Sequence, residues 1–390
     1  MTMRVSTRAL IAVVATGATG AALFAAPGAI AKGPIKQAPP GTTTSNPTSV
    51  VAGSLNNITL RWTAKAPVTT TGTSLTFSQD GTWSPFQVAN KGTPGFVSLQ
   101  KGTCTTTGIT VGPNSVTVND VKCSKANQWV QLAYYNAAPT VAGPSIFNAQ
   151  LSTAPGTIMP TTVTVSAAAV ASLAYLQHAS NVVAGAVMAP PVQVRALDAF
   201  GNLASTTITL AFTPGTSPVG AVLGGTTSKP TVNGVASFSN LTVNKVGTGY
   251  SLDASAGAAP TVTDATPFDV TAGAPASLTV EMKPTDVLPA DGSAQTVAVA
   301  TVKDALGNGV PGVGITILKD VTNDVTVGGT FIGLGGQHFA FVQASLTKGS
   351  NTIIAHCTSN CGTITDAQAT LTEVAAGDWL GAGYGTNGYV

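Results

Sequence analysis

Residues able to do chemistry are few. The 390-residue chain has three histidines (His178, His338 and His356), four cysteines and two glutamates, Glu281 and Glu373. A Ser–His–Asp hydrolase would show a local signature such as a G-x-S-x-G elbow between strand and helix, and the chain carries none. Glycoside cleavage needs two carboxyl groups facing each other across a groove, whereas both glutamates fall in one late stretch. "VGGTFIGLGGQ" (327–337) has the glycines of a phosphate loop but no lysine and no helix to follow. The sharpest cluster is His356, Cys357 and Cys361 in "HCTSNCG". A metal site there would need a fourth ligand, with His338 the candidate. The expectation is instead a disulfide stapling a hairpin turn at Thr358–Asn360. His178, following "LAYLQ", is expected at an exposed strand end. Asp198 with Asn202, and Asp304 with Asn308, offer oxygens to calcium, but a calcium site takes six to eight; turn capping accounts for them. The chain is therefore expected to hold no catalytic residue, metal or cofactor.

The elements around these residues are strands. Only 8% of residues are charged, and the abundance of Val and Thr suits strands with one apolar and one hydroxylated face. Gly and Pro recur too often for long helices. The fold class is all-β: three tandem immunoglobulin-like β-sandwich domains after a cleaved signal peptide. Arg4 and Arg8 precede an apolar stretch, and Ala29-Ile30-Ala31 fits a cleavage site, so residues 1–31 read as that leader. Without it the chain holds 15 basic and 15 acidic residues, which argues against nucleic acid as the partner. The charge is uneven. Residues 32–165 carry eight basic and two acidic residues, whereas 271–390 carry four and nine.

A long repeat gives the organisation. "VRALDAFGN" and "ATVKDALGN" align, as do "VSAAAVASLAYL" (165–176) and "VTAGAPASLTVE" (270–281), and further words follow in register. In each copy Asp198 or Asp304 caps the turn, Gly201 or Gly307 takes positive φ, and Asn202 or Asn308 tolerates left-handed geometry. About a hundred residues of short strands with regular turn signals is the pattern of an immunoglobulin-like sandwich. Tyr250 stands where such folds place a tyrosine corner. Residues 276–374, through "PADG" at Pro289–Gly292 and "DALGNGVPG", resemble the bacterial group 1 immunoglobulin-like repeat of invasin and intimin adhesins. The middle repeat, through "VRALDAFGN" and "GVASFSNLTV", resembles a related repeat of tandem bacterial surface arrays. The resemblance implies spacers or an adhesive tip. The expected division is a Pro/Thr-rich linker at 32–48, an N-terminal sandwich at 49–165, repeats at 166–270 and 271–374, and a Gly/aromatic tail at 375–390.

The N-terminal sandwich shares no turn word with the repeats and weakly resembles a module of other secreted repeat proteins. Cys104 and Cys123 bracket a hairpin with Pro113-Asn114 at its tip; pairing residues whose numbers sum to 227 sets the cysteines opposite each other, and a disulfide is expected. Trp62, Trp83, Trp129, Tyr134 and Tyr135 make this basic region the candidate contact surface. Trp379, Tyr384 and Tyr389 suggest a tail that docks on a sheet edge. The functional expectation is an exported bacterial protein, secreted or at the cell surface, binding a glycan, a cell-wall polymer or a protein. It has no membrane span after leader removal and is not an enzyme. The alternative is a subunit that associates with itself in a surface layer or fibre.

Overall fold

The computed structural model describes residues 39–375, other than 101, 322 and 323, together with Asp378. The leader, the start of the 32–48 stretch and the tail aromatics Trp379, Tyr384 and Tyr389 lie outside the described residues. The described chain is all-β, with no helix among its elements, and none long and apolar enough to cross a membrane.

Three clusters of buried side chains succeed one another along the sequence. The first runs from Val50 to Val165, the second from Leu173 to Val270 and the third from Val280 to Leu371. In the first segment a four-stranded and a six-stranded sheet enclose the core. Alternation drives this packing. Along Trp129–Ala137 every second residue is buried, so one face meets the core and the other points away. In the third segment a sheet around Gln295–Asp304 faces another around Gly349–Ser359.

Two expectations change here. The 32–48 stretch does not remain a linker throughout, because Gly41–Asn46 pairs antiparallel with Leu55–Ala64. Its run of Thr and Ser alternates like any half-buried strand. Gly41 lies under the Trp62 indole, where a Cβ would come within 2.2 Å of the ring nitrogen. The first segment also shares a word with the repeats after all: "SVVAGS" at 49–54 matches "NVVAGA" at 181–186. Both words form a short strand parallel to the last strand of their segment, Ser49–Val51 on Thr164–Ser166 and Val182–Val183 on Val270–Thr271. Val287–Pro289 does the same against Thr372–Val374. A positive-φ glycine follows each, at Gly53, Gly185 and Gly292.

The 104–123 hairpin has the expected register, with Gly112 opposite Ser115 and Gly108 opposite Asn119. Cys104 and Cys123 are bonded with their Cα atoms 4.5 Å apart. Cys357 and Cys361 are bonded as well. Tyr250 is fully buried and donates its hydroxyl proton to the Lys245 carbonyl at 2.8 Å, closing a tyrosine corner.

Candidate functional site

The repeated Asp-Ala-(Phe/Leu)-Gly-Asn words form the junctions between successive segments. At the first, Asp198 is nearly buried and both carboxylate oxygens are occupied. Oδ1 accepts the N–H of Phe200 at 2.8 Å and of Asn202 at 2.9 Å. Oδ2 accepts the N–H of Ala168, in the stretch between segments, at 2.8 Å and Nδ2 of Asn202 at 2.9 Å. Asp304 repeats the pattern with Leu306, Asn308 and Gly273, and its Oδ2 accepts Asn308 Nδ2 at 3.0 Å. Burial works against ionisation at both aspartates, but the side-chain and backbone N–H donors outweigh it and hold each carboxyl below the usual range. Gly201 and Gly307 supply the positive φ that closes each turn.

Asn202 and Asn308 then reach into the preceding segment. Asn202 donates from Nδ2 to the Thr140 carbonyl at 2.7 Å and accepts the Ala142 N–H at Oδ1, 2.9 Å. Asn308 donates to the Asn244 carbonyl at 2.9 Å and accepts the Val246 N–H at 3.2 Å. The bulky residue of each word lies over the glycine of the shared Val-Val-Ala-Gly word. A Cβ on Gly53 would sit 2.4 Å from the Phe200 ring, and one on Gly185 would sit 3.0 Å from Leu306 Cδ1. The same glycines donate their N–H groups to Pro139 and Val243, just before the loops that receive the asparagines. In the third segment Gly292 bonds Ser345 likewise, but the segment's own Leu346 covers that glycine.

The first-segment aromatics divide. Trp62, Trp83 and Tyr134 are core residues, 0–3% exposed, and none offers a surface to a partner. Their polar atoms are satisfied inside: Trp83 Nε1 donates to Ser145 Oγ at 2.6 Å, and the Tyr134 hydroxyl donates to the Ser84 carbonyl. Burial also raises the Tyr134 phenol above its ordinary value. Trp129 and Tyr135 are half-buried on the outward face of the four-stranded sheet. Arg61, from the neighbouring strand, places its guanidinium carbon 4.2 Å from the Trp129 ring centroid and donates from Nε to Gln131 Oε1 at 2.8 Å. Sequence reasoning passed over this arginine; its polar place in the alternating "ITLRWTA" (58–64) was the available signal, whereas its neighbour Gln131 is supplied by strand pairing.

The remaining chemical candidates are dispersed. His178 is half-exposed, and its Nδ1 meets buried Asp264 at 2.6 Å. His338 is buried, which lowers its pKa. His356 pairs with Asp366 at 2.8 Å, and that bond is the main cause holding the Asp366 carboxyl below its usual value. Cys357 and Cys361 bond each other, so their thiolates are not ligands, and no group of three or more His, Cys, Asp or Glu among the described residues is placed to hold a metal. Glu281 pairs with Lys283 on an exposed face, while buried Glu373 accepts from Ser345 and Asn351. The two glutamates are thus tied to separate partners.

No family model and no curated protein matches the chain. Among solved structures, it is similar to the Escherichia coli adhesin FdeC at 20% identity and TM-score 0.39, over 86% of this chain and 97% of that one. It is similar to invasin, a bacterial integrin-binding protein, at 17% identity and TM-score 0.33, over 86% of this chain and 60% of invasin's. Domains 4–9 of the surface layer protein SbsC match at 16% identity and TM-score 0.22, over 62% of this chain and 36% of theirs. Invasin, whose repeat residues 276–374 resemble, is one of these structures.

Proposed function

We propose that the chain is a non-enzymatic adhesion or binding protein of the cell surface or extracellular space. Its three segments, divided near residues 165 and 270, are sandwich domains, the second and third serving as spacers for a binding first domain. The observation that carries this reading is the pair of equivalent joints. The same five-residue word uses a saturated aspartate to fix its own turn and an asparagine to grip the domain before it. Tandem domains move relative to one another by default; a hydrogen-bonded joint built twice from one word favours holding their orientation. A catalyst needs converging titratable groups in a pocket, whereas the order seen here lies at the joints.

Bead attachment tests the reading. Beads coated with the chain through residue 390 are expected to attach saturably to bacterial or host cell surfaces and to be displaced by free chain. Attachment no greater than that of albumin-coated beads to every surface would overturn it.

A further inference from the structure

We infer that the outward face of the first segment's four-stranded sheet binds a carboxylated polysaccharide, with Arg61 receiving a carboxylate and Tyr135 supporting a sugar ring further along; this rests on the adhesion reading and names its ligand class. The sheet comprises Gly41–Asn46, Leu55–Ala64, Trp129–Ala137 and Val97–Gln100. None of these strands contains an Asp or Glu. The only two acidic residues of 32–165 belong to the other sheet and its loops. Asp80 accepts from Ser145 Oγ at 2.9 Å, and Asp120 accepts from Thr107 at 3.1 Å. The segment's positive balance is therefore unopposed on this face, where Arg61 stands and exposed Lys65 and Lys91 flank it.

Arg61 is already positioned for an anion. Stacking on Trp129 and the Nε bond to Gln131 fix the guanidinium plane, leaving its two terminal nitrogens to donate. None of the ion pairs among the described residues involves it. A fixed planar fork matches a carboxylate through two parallel hydrogen bonds. Around it Thr44, Asn46, Thr59 and Gln131 line a shallow pocket with hydroxyl and amide groups suited to sugar hydroxyls. A second pocket on the same face is lined by Asn57, Lys91, Phe96, Ser98 and Tyr135. Tyr135 lies six residues along the strand from Trp129, roughly 20 Å at the strand rise, so the face offers a track for several sugar units. An aromatic side chain presents an apolar surface to the C–H face of a pyranose while its hydroxyl stays wet. A flat face rich in hydroxyls and amides with one oriented cation fits a polyuronate better than an apolar protein surface.

Calorimetric titration of the full chain with polygalacturonate, and with its fully methyl-esterified form of the same length, tests this. The acid form is expected to bind, more weakly as salt rises, and the ester at least tenfold more weakly. Arg61→Gln should weaken acid-form binding about tenfold or more, the loss expected when a charge-assisted pair goes. Arg61→Lys, which keeps the charge but not the fork, should fall between. Tyr135→Ala should weaken binding of both forms. Arg195→Gln, at an exposed arginine on strand Val192–Asp198 of the second segment, should bind as the unaltered chain does. Thermal melting checks that each variant is folded. Equal binding of acid and ester, unaltered binding by folded Arg61→Gln, or no binding of polygalacturonate, alginate or hyaluronate would overturn the inference. Bead attachment that persists in Arg61→Gln would overturn this ligand assignment while leaving the adhesion reading intact.

Discussion

Asp198 and Asp304 each hold an ionised carboxylate at 3–5% exposure, balanced by four N–H donors. Replacing either by Asn turns one acceptor into a donor aimed at N–H groups, leaving buried donors unpaired at about 1–3 kcal/mol each. Two donors meet each oxygen, so each single variant should lose about 2–6 kcal/mol of stability in chemical denaturation, more than an exposed Asp→Asn change would cost. The pH dependence has a definite sign. Because the folded pKa is depressed, the stabilisation is fully present above the unfolded aspartate value of about 3.9 and is lost as pH falls through the folded value. Melting profiles from pH 7 to pH 2 should show the unaltered chain losing more stability below about pH 4 than Asp198→Asn/Asp304→Asn loses. Asp80 and Asp366, also depressed, remain in both chains, so the difference isolates the joints.

At the scale of elements, the 104–123 hairpin was legible because a two-residue tip fixes the register and strand geometry does the rest. The chain-entropy relation gives about 3 kcal/mol for closing that loop and about 2 kcal/mol for the Cys357–Cys361 loop. Cys104→Ala/Cys123→Ala should thus lower the denaturation midpoint more than Cys357→Ala/Cys361→Ala, and the reverse order would count against the entropic account. The Asp and Gly of the DAFGN and DALGN turns were equally legible, since each has a local backbone reason to be there. Asn202 and Asn308, expected for left-handed geometry, do not adopt positive φ, and their side chains bond across the boundary instead. These contacts to Thr140 and Asn244 were not legible, because the receiving groups are backbone atoms about 60 residues away that no side-chain pattern marks. Gly41–Asn46 read as linker because its partner, Leu55–Ala64, supplies the apolar side chains that a Thr-rich strand lacks. Trp62, Trp83 and Tyr134 show the opposite limit. Aromatic type is shared by cores and binding faces, and only the alternation within Trp129–Ala137, with Tyr134 in and Tyr135 out, separates the two.

For the whole molecule, what matters is how firmly one segment is held to the next. Each joint adds two hydrogen bonds from one asparagine across the boundary, at a net of about 0.5–1.5 kcal/mol apiece. Together they favour the closed joint by about 1–3 kcal/mol, which is about 5- to 150-fold in population. That is enough to suppress bending without making the segments depend on each other for folding. Asn202→Ala/Asn308→Ala should therefore change the shape distribution more than the stability of the individual cores. Small-angle scattering of the double variant should show a broader distribution of interatomic distances than the unaltered chain, with circular dichroism in the far ultraviolet unchanged. Phe200→Gly with Leu306→Gly should broaden it further, since those side chains fill the space over Gly53 and Gly185. An unchanged distribution in all these variants would mean that the short connections at 167–169 and 272–274 alone set the orientation, and that the repeated word serves only its own turn.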